Sequence, residues 1–367
     1  MKKLHAPFEM ALKIAVVGAT GAVGEVLFSI LEKRNFPIQD LSAFSSPRSE
    51  GKKIKFQGRD VICKTLMSGC FKEIDLVFFD ASDAVSKEWV PQATESECFV
   101  VDNSAAFRGE SDIPLVVPEV NGDLIAQIVS RKGLGARQRI ISGPNCTTAQ
   151  LVVALKPIHD RYGLKRVVVS TYQSTSGAGK LAMEELKEQT SNVLKGARAL
   201  PKVFSHQIAF NCIPQIGGFG DDGFTSEETK LVLETRKILG LPGLKMSATA
   251  VRVPTLSCHA ESINIECEKS FNIEEIKDLL GSSPGLVIQD DPSKLIYPLG
   301  VVSKGDPVHG AAGQDSVYVG RVRKDLSVEN GLHLWIVSDN LRKGAALNAV
   351  QIGELLIQSR AEFQSLR

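Results

Sequence analysis

The stretch LKIAVVGATGAVGEVLFSILEKR, residues 12–34, decides the fold class of the N-terminal half of the chain. It begins with an apolar run, residues 12–17, and continues with residues 23–34, in which apolar side chains recur at helical spacing. Between them lies GATGAVG, with three glycines at a spacing of three residues. This order predicts a strand, a tight glycine turn and a helix, in which backbone amides and the helix dipole can receive an anion.

The same alternation of strand and helix continues through the first 145 residues. Apolar runs at 41–44, 74–79 and 98–101 predict further strands, and residues 84–94 predict a helix between the last two. Near-continuous apolar strands separated by helices are typical of a parallel sheet that is covered on both faces. We therefore predict a Rossmann-like, doubly wound α/β domain over residues 1–145.

A different pattern follows residue 145 and predicts a second domain over residues 146–340. Helices are expected at 146–162 and 181–194, and residues 213–223 form a loop rich in glycine. The strand candidates are residues 166–172, 246–253, 262–267, 316–323 and 332–338. This mixture indicates an α+β domain built on a mixed sheet. A final helix at 345–358, within a segment 341–367, is predicted to return to the first domain.

Composition limits the classes of protein to which the chain can belong. The 367 residues suggest two domains, and 43 Lys and Arg against 42 Asp and Glu give no basic footprint for nucleic acid. No apolar stretch reaches the roughly 18 residues of a membrane span, and no secretory signal follows Lys2 and Lys3. Met10 is an alternative start. We expect a cytoplasmic protein without a nucleic-acid or membrane partner.

The cysteines are scattered and argue against a zinc site or a disulfide framework. The seven cysteines form no CxxC pair, so no metal site is predicted and a reducing compartment is favoured. Four of them are expected to be small buried apolar residues, namely Cys63, Cys98, Cys212 and Cys267.

The glycine turn predicts dinucleotide binding, although a purely structural turn remains the alternative. An NAD site usually carries an acidic residue at the end of the second strand. Here that position reads FSSPRS, residues 44–49, and has no acid. Hydroxyls and a guanidinium suit the 2′-phosphate of NADP, so Ser46, Arg48 and Ser49 favour NADP over NAD. A solvated turn is the alternative for each of these residues.

Cys146 is the strongest candidate nucleophile because it lies where a loop enters a helix. A helix N-terminus favours the thiolate, and its free amides can receive an oxyanion; a buried apolar cysteine is the alternative. His259 follows the strand that ends near Arg252 and is a candidate base, but spacing cannot show that it meets Cys146, and composition alone favours a structural histidine. Lys230 lies near a helix start, against the dipole, and hints at an anionic partner. Ser226 is expected to cap the amide of Thr229 in that helix.

Seven motifs in order give the chain an end-to-end resemblance to the aspartate-semialdehyde dehydrogenase family. They are GATGAVG at 18–24, DNSAAFR at 102–108, GPNCTT at 143–148, YQSTSGAG at 172–179, EETK at 227–230, RVPTLSCH at 252–259 and DNLRKGAA at 339–346. Each motif alone is weak evidence. Together, in this order, they are specific.

The resemblance implies a role for each matching residue. The implied catalytic residues are Cys146 as nucleophile, Gln173 to orient the acyl group and His259 as general acid/base. The implied substrate-binding residues are Arg252 for the carboxylate, Glu227 for the α-amino group, and Arg108 and Lys230 for phosphate. The implied cofactor-binding residues are Gly18, Thr20, Gly21, Ala22 and Val23 at the pyrophosphate, Ser46, Arg48 and Ser49 at the 2′-phosphate, and Gly177 and Asn340 at the nicotinamide end.

The resemblance also implies a reaction and an assembly. NADPH would reduce L-4-aspartyl phosphate to L-aspartate 4-semialdehyde and phosphate through a Cys146 thioester, on the pathway to lysine, threonine and methionine. A homodimer or a dimer of dimers is implied.

Three rival functions remain open. An N-acetyl-glutamyl-phosphate reductase is disfavoured by Glu227, since a blocked amine offers no ammonium group. Glyceraldehyde-3-phosphate dehydrogenase, as a strictly NAD-linked enzyme, is disfavoured by the missing acid after the second strand. A non-catalytic NADP sensor would need neither Cys146 nor His259.

Overall fold

The computed structural model describes residues 11–131, 133–306 and 308–359. The alternative start at Met10 and residues 360–367 of the predicted C-terminal segment lie outside them. The chain divides into two compact units. Residues up to 144, together with those from 345 onward, form the first unit, and residues 145–344 form the second.

The first unit is a seven-stranded sheet with helices. Its strands are β1 Leu12–Val17, β2 Ile38–Ser45, β3 Lys53–Phe56, β4 Arg59–Thr65, β5 Leu76–Phe79, β6 Phe99–Asp102 and β7 Ile140–Ser142. Its helices, numbered along the whole chain, are α1 Ala22–Lys33, α2 Asp83–Glu95, α3 Pro118–Asn121, α4 Asp123–Val129 and α9 Leu347–Gln358.

The strand order of this sheet is that of a dinucleotide-binding fold. The order is β3-β4-β2-β1-β5-β6-β7, and every pair is parallel except the hairpin of β3 and β4. Without the edge strand β3, this is the doubly wound order, in which the chain reverses direction across the sheet between β1 and β5. Ligands bind such sheets at the carboxyl ends of the strands beside that reversal. The predicted fold class is confirmed, whereas β3, β4 and β7 were not predicted.

Burial on both faces explains the continuous apolar run of β1. Ile14 and Val16 belong to one apolar cluster, while Ala15 and Val17 belong to another. Successive side chains of a strand point to opposite faces, so each face needs its own apolar residues. Helix α9 contributes Leu347 and other buried side chains to the cluster that contains Ile14. The predicted return of the C-terminal helix to the first sheet is therefore confirmed.

The second unit contains a six-stranded mixed sheet. Its helices are α5 Cys146–Tyr162, α6 Lys180–Leu194, α7 Ser226–Leu239 and α8 Ile273–Ser282. Its strands are β8 Leu164–Gln173, β9 Lys245–Arg252, β10 His259–Cys267, β11 Leu286–Ile288, β12 Val317–Asp325 and β13 Gly331–Ser338. The order is β11-β12-β13-β10-β8-β9, with parallel pairs at the two edges and antiparallel pairs between them. The predicted mixed sheet is confirmed.

Local details of the second unit correct two expectations. The N-cap of α7 is Thr225, not Ser226: the Thr225 hydroxyl accepts from the amide of Glu228, whose carboxylate accepts from the amide of Thr225. The capping-box pattern requires Glu or Gln three residues after the cap, and Thr225 meets it while Ser226 does not. Cys212 is exposed rather than buried, because it lies in an irregular loop outside the sheet. The other three cysteines expected to be buried are buried.

Candidate active site

Three of the residues singled out in the sequence lie side by side at one end of the second sheet. Gln173, the last residue of β8, pairs with Arg252 at the end of β9 and with His259 at the start of β10. Paired residues on neighbouring strands point to the same face of a sheet. All three side chains are buried. The sheet therefore places a guanidinium, an amide and an imidazole in one row.

The N-terminus of α5 carries Cys146 and is held by its cap, Asn145. The Asn145 side-chain oxygen accepts from the Thr147 amide at 3.0 Å and from the Thr147 hydroxyl at 2.5 Å. Cys146 is the first helical residue and is partly exposed. Burial lowers the pKa of Arg252, whereas the charges of Cys146 and Glu227 raise it. The guanidinium thus interacts with both the thiol and the carboxylate.

His259 is held as a neutral imidazole. Burial, and next the charge of Arg252, lower its pKa to about 3. Its Nδ1 accepts from the backbone N–H of Ser174 at 3.1 Å, so the hydrogen-bond network assigns the ring proton to Nε2. Within the described part of the chain, Nε2 has no hydrogen-bond partner. His259 therefore offers one N–H donor at the site.

Glu227 connects the sheet row to the cap of α5. Its Oε1 accepts from the side-chain amides of Gln173 at 3.1 Å and Asn145 at 2.9 Å.

Lys230 follows Glu227 one turn later on α7 and is half-buried. Among the residues that the structure describes, no salt bridge is formed by Lys230. It therefore remains a candidate for binding an external anion.

The loop after β8 packs tightly on this row. A Cβ at Gly177 would lie 3.0 Å from both Arg252 Nη1 and His259 Nε2, so no larger side chain fits there without displacing them. The Asn340 side-chain oxygen accepts from the Ser176 hydroxyl at 3.1 Å and from the Cys258 amide at 3.0 Å. Asn340 thus holds the loop and the residue before His259.

The glycine turn of the first unit borders a cavity of about 480 Å³. Gly18 has a φ of +89°, and a Cβ there would lie 1.9 Å from the carbonyl oxygen of Asp80, so only glycine fits. Gly21 precedes α1 without a side-chain cap, which leaves the first helical amides open. Thr20 and Ser46 line the cavity, as does Asp80, whose pKa burial raises to about 7. The cradle fits a pyrophosphate.

The other cofactor candidates differ in exposure. Val23 packs against the apolar core, and both Val23 and Ala22 are partly buried. Arg48 is exposed, whereas Ser49 is buried.

Arg108 lies in the loop after β6 in the first unit. Asp102 organises this loop, because its carboxylate accepts from the hydroxyls of Ser86 at 2.9 Å and Ser104 at 2.7 Å. Arg108 Nη2 donates to the carbonyl oxygen of Asn103 at 2.6 Å. The backbone of the loop thus orients the guanidinium.

Glu261 is a buried titratable residue that the sequence did not single out. It lies two residues after His259 on β10 and is fully buried. Burial raises its pKa well above the usual 4.5, and the nearby amide of Gln150 only partly opposes this. Nothing in the sequence indicated that Glu261 is buried, because the alternation of residues along a strand predicts only which face of the sheet each one occupies.

Glu261→Gln is expected to stabilise the protein increasingly as pH rises. Below pH 4.5 the carboxyl is neutral in both the folded and unfolded states. Above it the unfolded chain loses the proton while the folded protein keeps it, so stability falls with rising pH, by at most about 1.4 kcal/mol per pH unit. Glutamine cannot ionise. The urea unfolding midpoints of Glu261→Gln and of the unsubstituted protein should match near pH 4.5, and the variant should have the higher midpoint at pH 8. A difference that does not change with pH would contradict this.

The described ranges offer neither a metal-binding cluster nor a membrane-spanning helix. No group of three or more His, Cys, Asp or Glu side chains there could hold a metal ion. None of the helices described is long and apolar enough to cross a membrane.

Two family models together match most of the chain. Residues 13–128 match the NAD-binding domain of semialdehyde dehydrogenases, and residues 155–343 match their dimerisation domain. The fold and the cysteine site therefore define a semialdehyde dehydrogenase.

Full-length relatives narrow the class further. The aspartate-semialdehyde dehydrogenase of Aquifex aeolicus is 47% identical over 352 residues, which are 95% of this chain and 99% of that one. The crystal structure of aspartate-semialdehyde dehydrogenase II from Vibrio cholerae, complexed with ASA, has a TM-score of 0.88 at 42% identity and covers 95% of this chain and 99% of its own. The Candida albicans enzyme with NADP has a TM-score of 0.71 at 25% identity, with coverage of 95% and 98%. The chain belongs to the aspartate-semialdehyde dehydrogenase family and is an oxidoreductase.

Proposed function

We propose that the protein reduces L-4-aspartyl phosphate to L-aspartate 4-semialdehyde with NADPH, and catalyses the reverse reaction with phosphate. The observation that carries this proposal is the position of Cys146 at the start of α5, with Arg252 and the unpaired N–H of His259 in the same unit. The semialdehyde complex of the Vibrio cholerae relative supports the choice of substrate.

Cys146 is the nucleophile. The N-terminal amides of α5 and the guanidinium of Arg252 both favour a thiolate. The sulfur attacks the acyl carbon; a C–S bond forms, the C–O bond to phosphate breaks, and phosphate leaves with the electron pair. A thioester at Cys146 remains. The positive end of the α5 dipole can stabilise the negative charge that develops on the acyl oxygen during the attack.

His259 serves the reaction as a neutral donor. With Nδ1 occupied by the amide of Ser174, the N–H at Nε2 can donate a hydrogen bond to the acyl oxygen as negative charge develops on it. A pKa of about 3 means that the ring is uncharged at neutral pH. The bound dinucleotide supplies the hydride. For the neutral ring we therefore propose a hydrogen-bond donor role in place of the general acid/base role that the resemblance implies.

The remaining polar residues match the substrate's own charges. Arg252 binds the α-carboxylate, and Glu227, oriented by Gln173 and Asn145, binds the α-ammonium group. Arg108 and Lys230 bind the phosphate. Gln173, next to Arg252 and His259 in the sheet row, orients the acyl group.

NADP is the proposed cofactor, held mainly by the first unit. Gly18, Thr20, Gly21 and the amides of Ala22 and Val23 would hold the pyrophosphate at the open end of α1. Ser46, Arg48 and Ser49 would surround the 2′-phosphate, since β2 ends without an acid. Gly177 and Asn340 would approach the nicotinamide. A relative from Candida albicans has been solved with NADP, which supports this choice.

The second unit carries the proposed catalytic site and a proposed dimer surface. The match of residues 155–343 to a dimerisation domain supports a homodimer. Tyr172 and Trp335 lie against each other on the sheet, with ring centroids 5.4 Å apart and ring planes tilted by 46°, and Tyr172 is 37% exposed. An exposed aromatic side chain such as Tyr172 suits an interface between copies. We propose that this homodimer is a cytoplasmic enzyme of amino-acid biosynthesis.

The test is a spectrophotometric assay of the purified protein. Aspartate semialdehyde and phosphate should give NADPH from NADP at alkaline pH, and the rate should fall when phosphate is omitted or NAD replaces NADP. Folded, NADP-binding protein without this activity would contradict the proposal. Activity with N-acetyl-glutamate semialdehyde or glyceraldehyde 3-phosphate instead would identify a related reductase.

A further inference from the structure

A second buried carboxylate, Glu234, is hydrogen-bonded to the residue that precedes Cys146. Glu234 lies on α7, seven residues and therefore about two turns after Glu227, on the same face of the helix. Its Oε2 accepts from the backbone N–H of Asn145 at 2.6 Å. Only 5% of Glu234 is exposed. The two carboxylates of α7 thus hold Asn145 from its side chain and from its main chain.

These contacts leave Asn145 with very little freedom. Its side-chain amide donates to Glu227, its side-chain oxygen caps Thr147, and its carbonyl oxygen accepts from the amide of Ala149 at 2.9 Å. The bond to Glu234 fixes the remaining polar group, the backbone N–H. Because Asn145 is joined covalently to Cys146, fixing its backbone fixes where α5 begins and where the sulfur projects.

We propose that Glu234 is a positioning residue for the nucleophile: it acts through the backbone of Asn145 and makes no contact with substrate. A hydrogen bond to a carboxyl oxygen is among the stronger kinds in proteins. A displacement of about 1 Å in a reacting group can cost on the order of 10²-fold in rate. The proposal rests on Cys146 being the nucleophile.

Glu228 offers a matched control within the same helix. It is 8% exposed, and its carboxylate accepts from two backbone amides, those of Thr225 at 2.7 Å and Ala250 at 2.9 Å. Those amides belong to the start of α7 and to β9, not to the segment that carries Cys146. Replacing Glu228 therefore removes comparable buried hydrogen bonds without releasing Asn145.

The experiment compares Glu234→Ala, Glu234→Gln and Glu228→Ala in the full-length enzyme. Three quantities are measured for each: kcat and KM, the iodoacetamide alkylation rate of Cys146 resolved by peptide mass spectrometry, and the unfolding temperature. Glu234→Ala should lower kcat by about 10²-fold, change KM by less than about 3-fold, and change the alkylation rate at Cys146 by about 10-fold. Glu234→Gln, which keeps an acceptor oxygen, should recover most of kcat. Glu228→Ala should lower the unfolding temperature only.

Equal effects of Glu234→Ala and Glu228→Ala on kcat and alkylation would overturn the proposal, because both residues would then be merely structural. If Glu234→Ala does not fold, Glu234→Asp tests the same point, since it keeps the charge but shortens the reach to Asn145 and should lower kcat. Failure of the proposed function is distinguishable, because the unsubstituted enzyme would then lack the phosphate-dependent activity, or would keep it after the loss of Cys146.

Discussion

Cys146→Ala will lower kcat by on the order of 10⁵-fold and leave the affinity for NADPH within about 2-fold of the original value. The sulfur forms the covalent bond that divides acyl transfer from reduction, and no other side chain in the row of Gln173, Arg252 and His259 can replace it. The dinucleotide cradle lies in the other unit, at the glycine turn between β1 and α1, and does not include Cys146. Steady-state assays and NADPH fluorescence titration measure the two quantities.

Cys212→Ala is the matched control for this prediction. Cys212 is an exposed thiol in the same unit, so it competes for alkylating reagents but has no place in the proposed chemistry. Its removal should leave kcat unchanged, and iodoacetamide should still inactivate the variant. Substantial turnover by purified Cys146→Ala would disprove the nucleophile assignment.

His259→Ala is expected to lower kcat by about 10²- to 10⁴-fold, since the only donor that His259 offers, the Nε2–H, is lost. The alkylation rate of Cys146 should change little, because His259 does not act as its base: Nδ1 is occupied and Nε2 carries the proton. A general-base role would instead slow alkylation and kcat together. Stopped alkylation assays at several pH values distinguish the two.

His259 also makes a pH-dependent contribution to the stability of the fold, which can be measured separately from its effect on kcat. The folded pKa of about 3 lies below the ordinary 6.5, so the unfolded state binds the proton first as pH falls. Stability is therefore lost between pH 6.5 and about 3. In His259→Gln this loss should shrink, as judged by urea unfolding at pH 7 and pH 4. An unchanged difference between the two pH values would show that His259 is not buried in its neutral form.

Much of the fold was predictable because local patterns determine it. The apolar runs of β1, β5 and β6 are buried on both faces, so continuous hydrophobicity located them. Helix α5 begins at Cys146, as the polar residues before it indicated. The hairpin of β3 and β4 escaped prediction because its strands lie at the sheet edge, where alternate residues are exposed and charged.

The contacts of the candidate site were less predictable, because they join distant parts of the chain. Gln173, Arg252 and His259 become neighbours only through strand register. The hydrogen bonds of Glu227 and Glu234 to Asn145 span more than 80 residues, and nothing in the spacing of acidic residues on α7 distinguishes them from solvent-facing charges. Glu234 in particular is buried although the sequence does not single it out.

The position of α9 in the chain affects the order in which the protein can fold during its synthesis on the ribosome. Its buried side chains, Leu347 among them, complete the apolar layer beside Ile14, yet they are translated only after the whole of residues 145–344. Until then the nascent sheet lacks the part of this apolar layer that α9 supplies. The second unit has all of its own strands at that moment and can fold first, so the earliest part of the chain to be made is the last to mature.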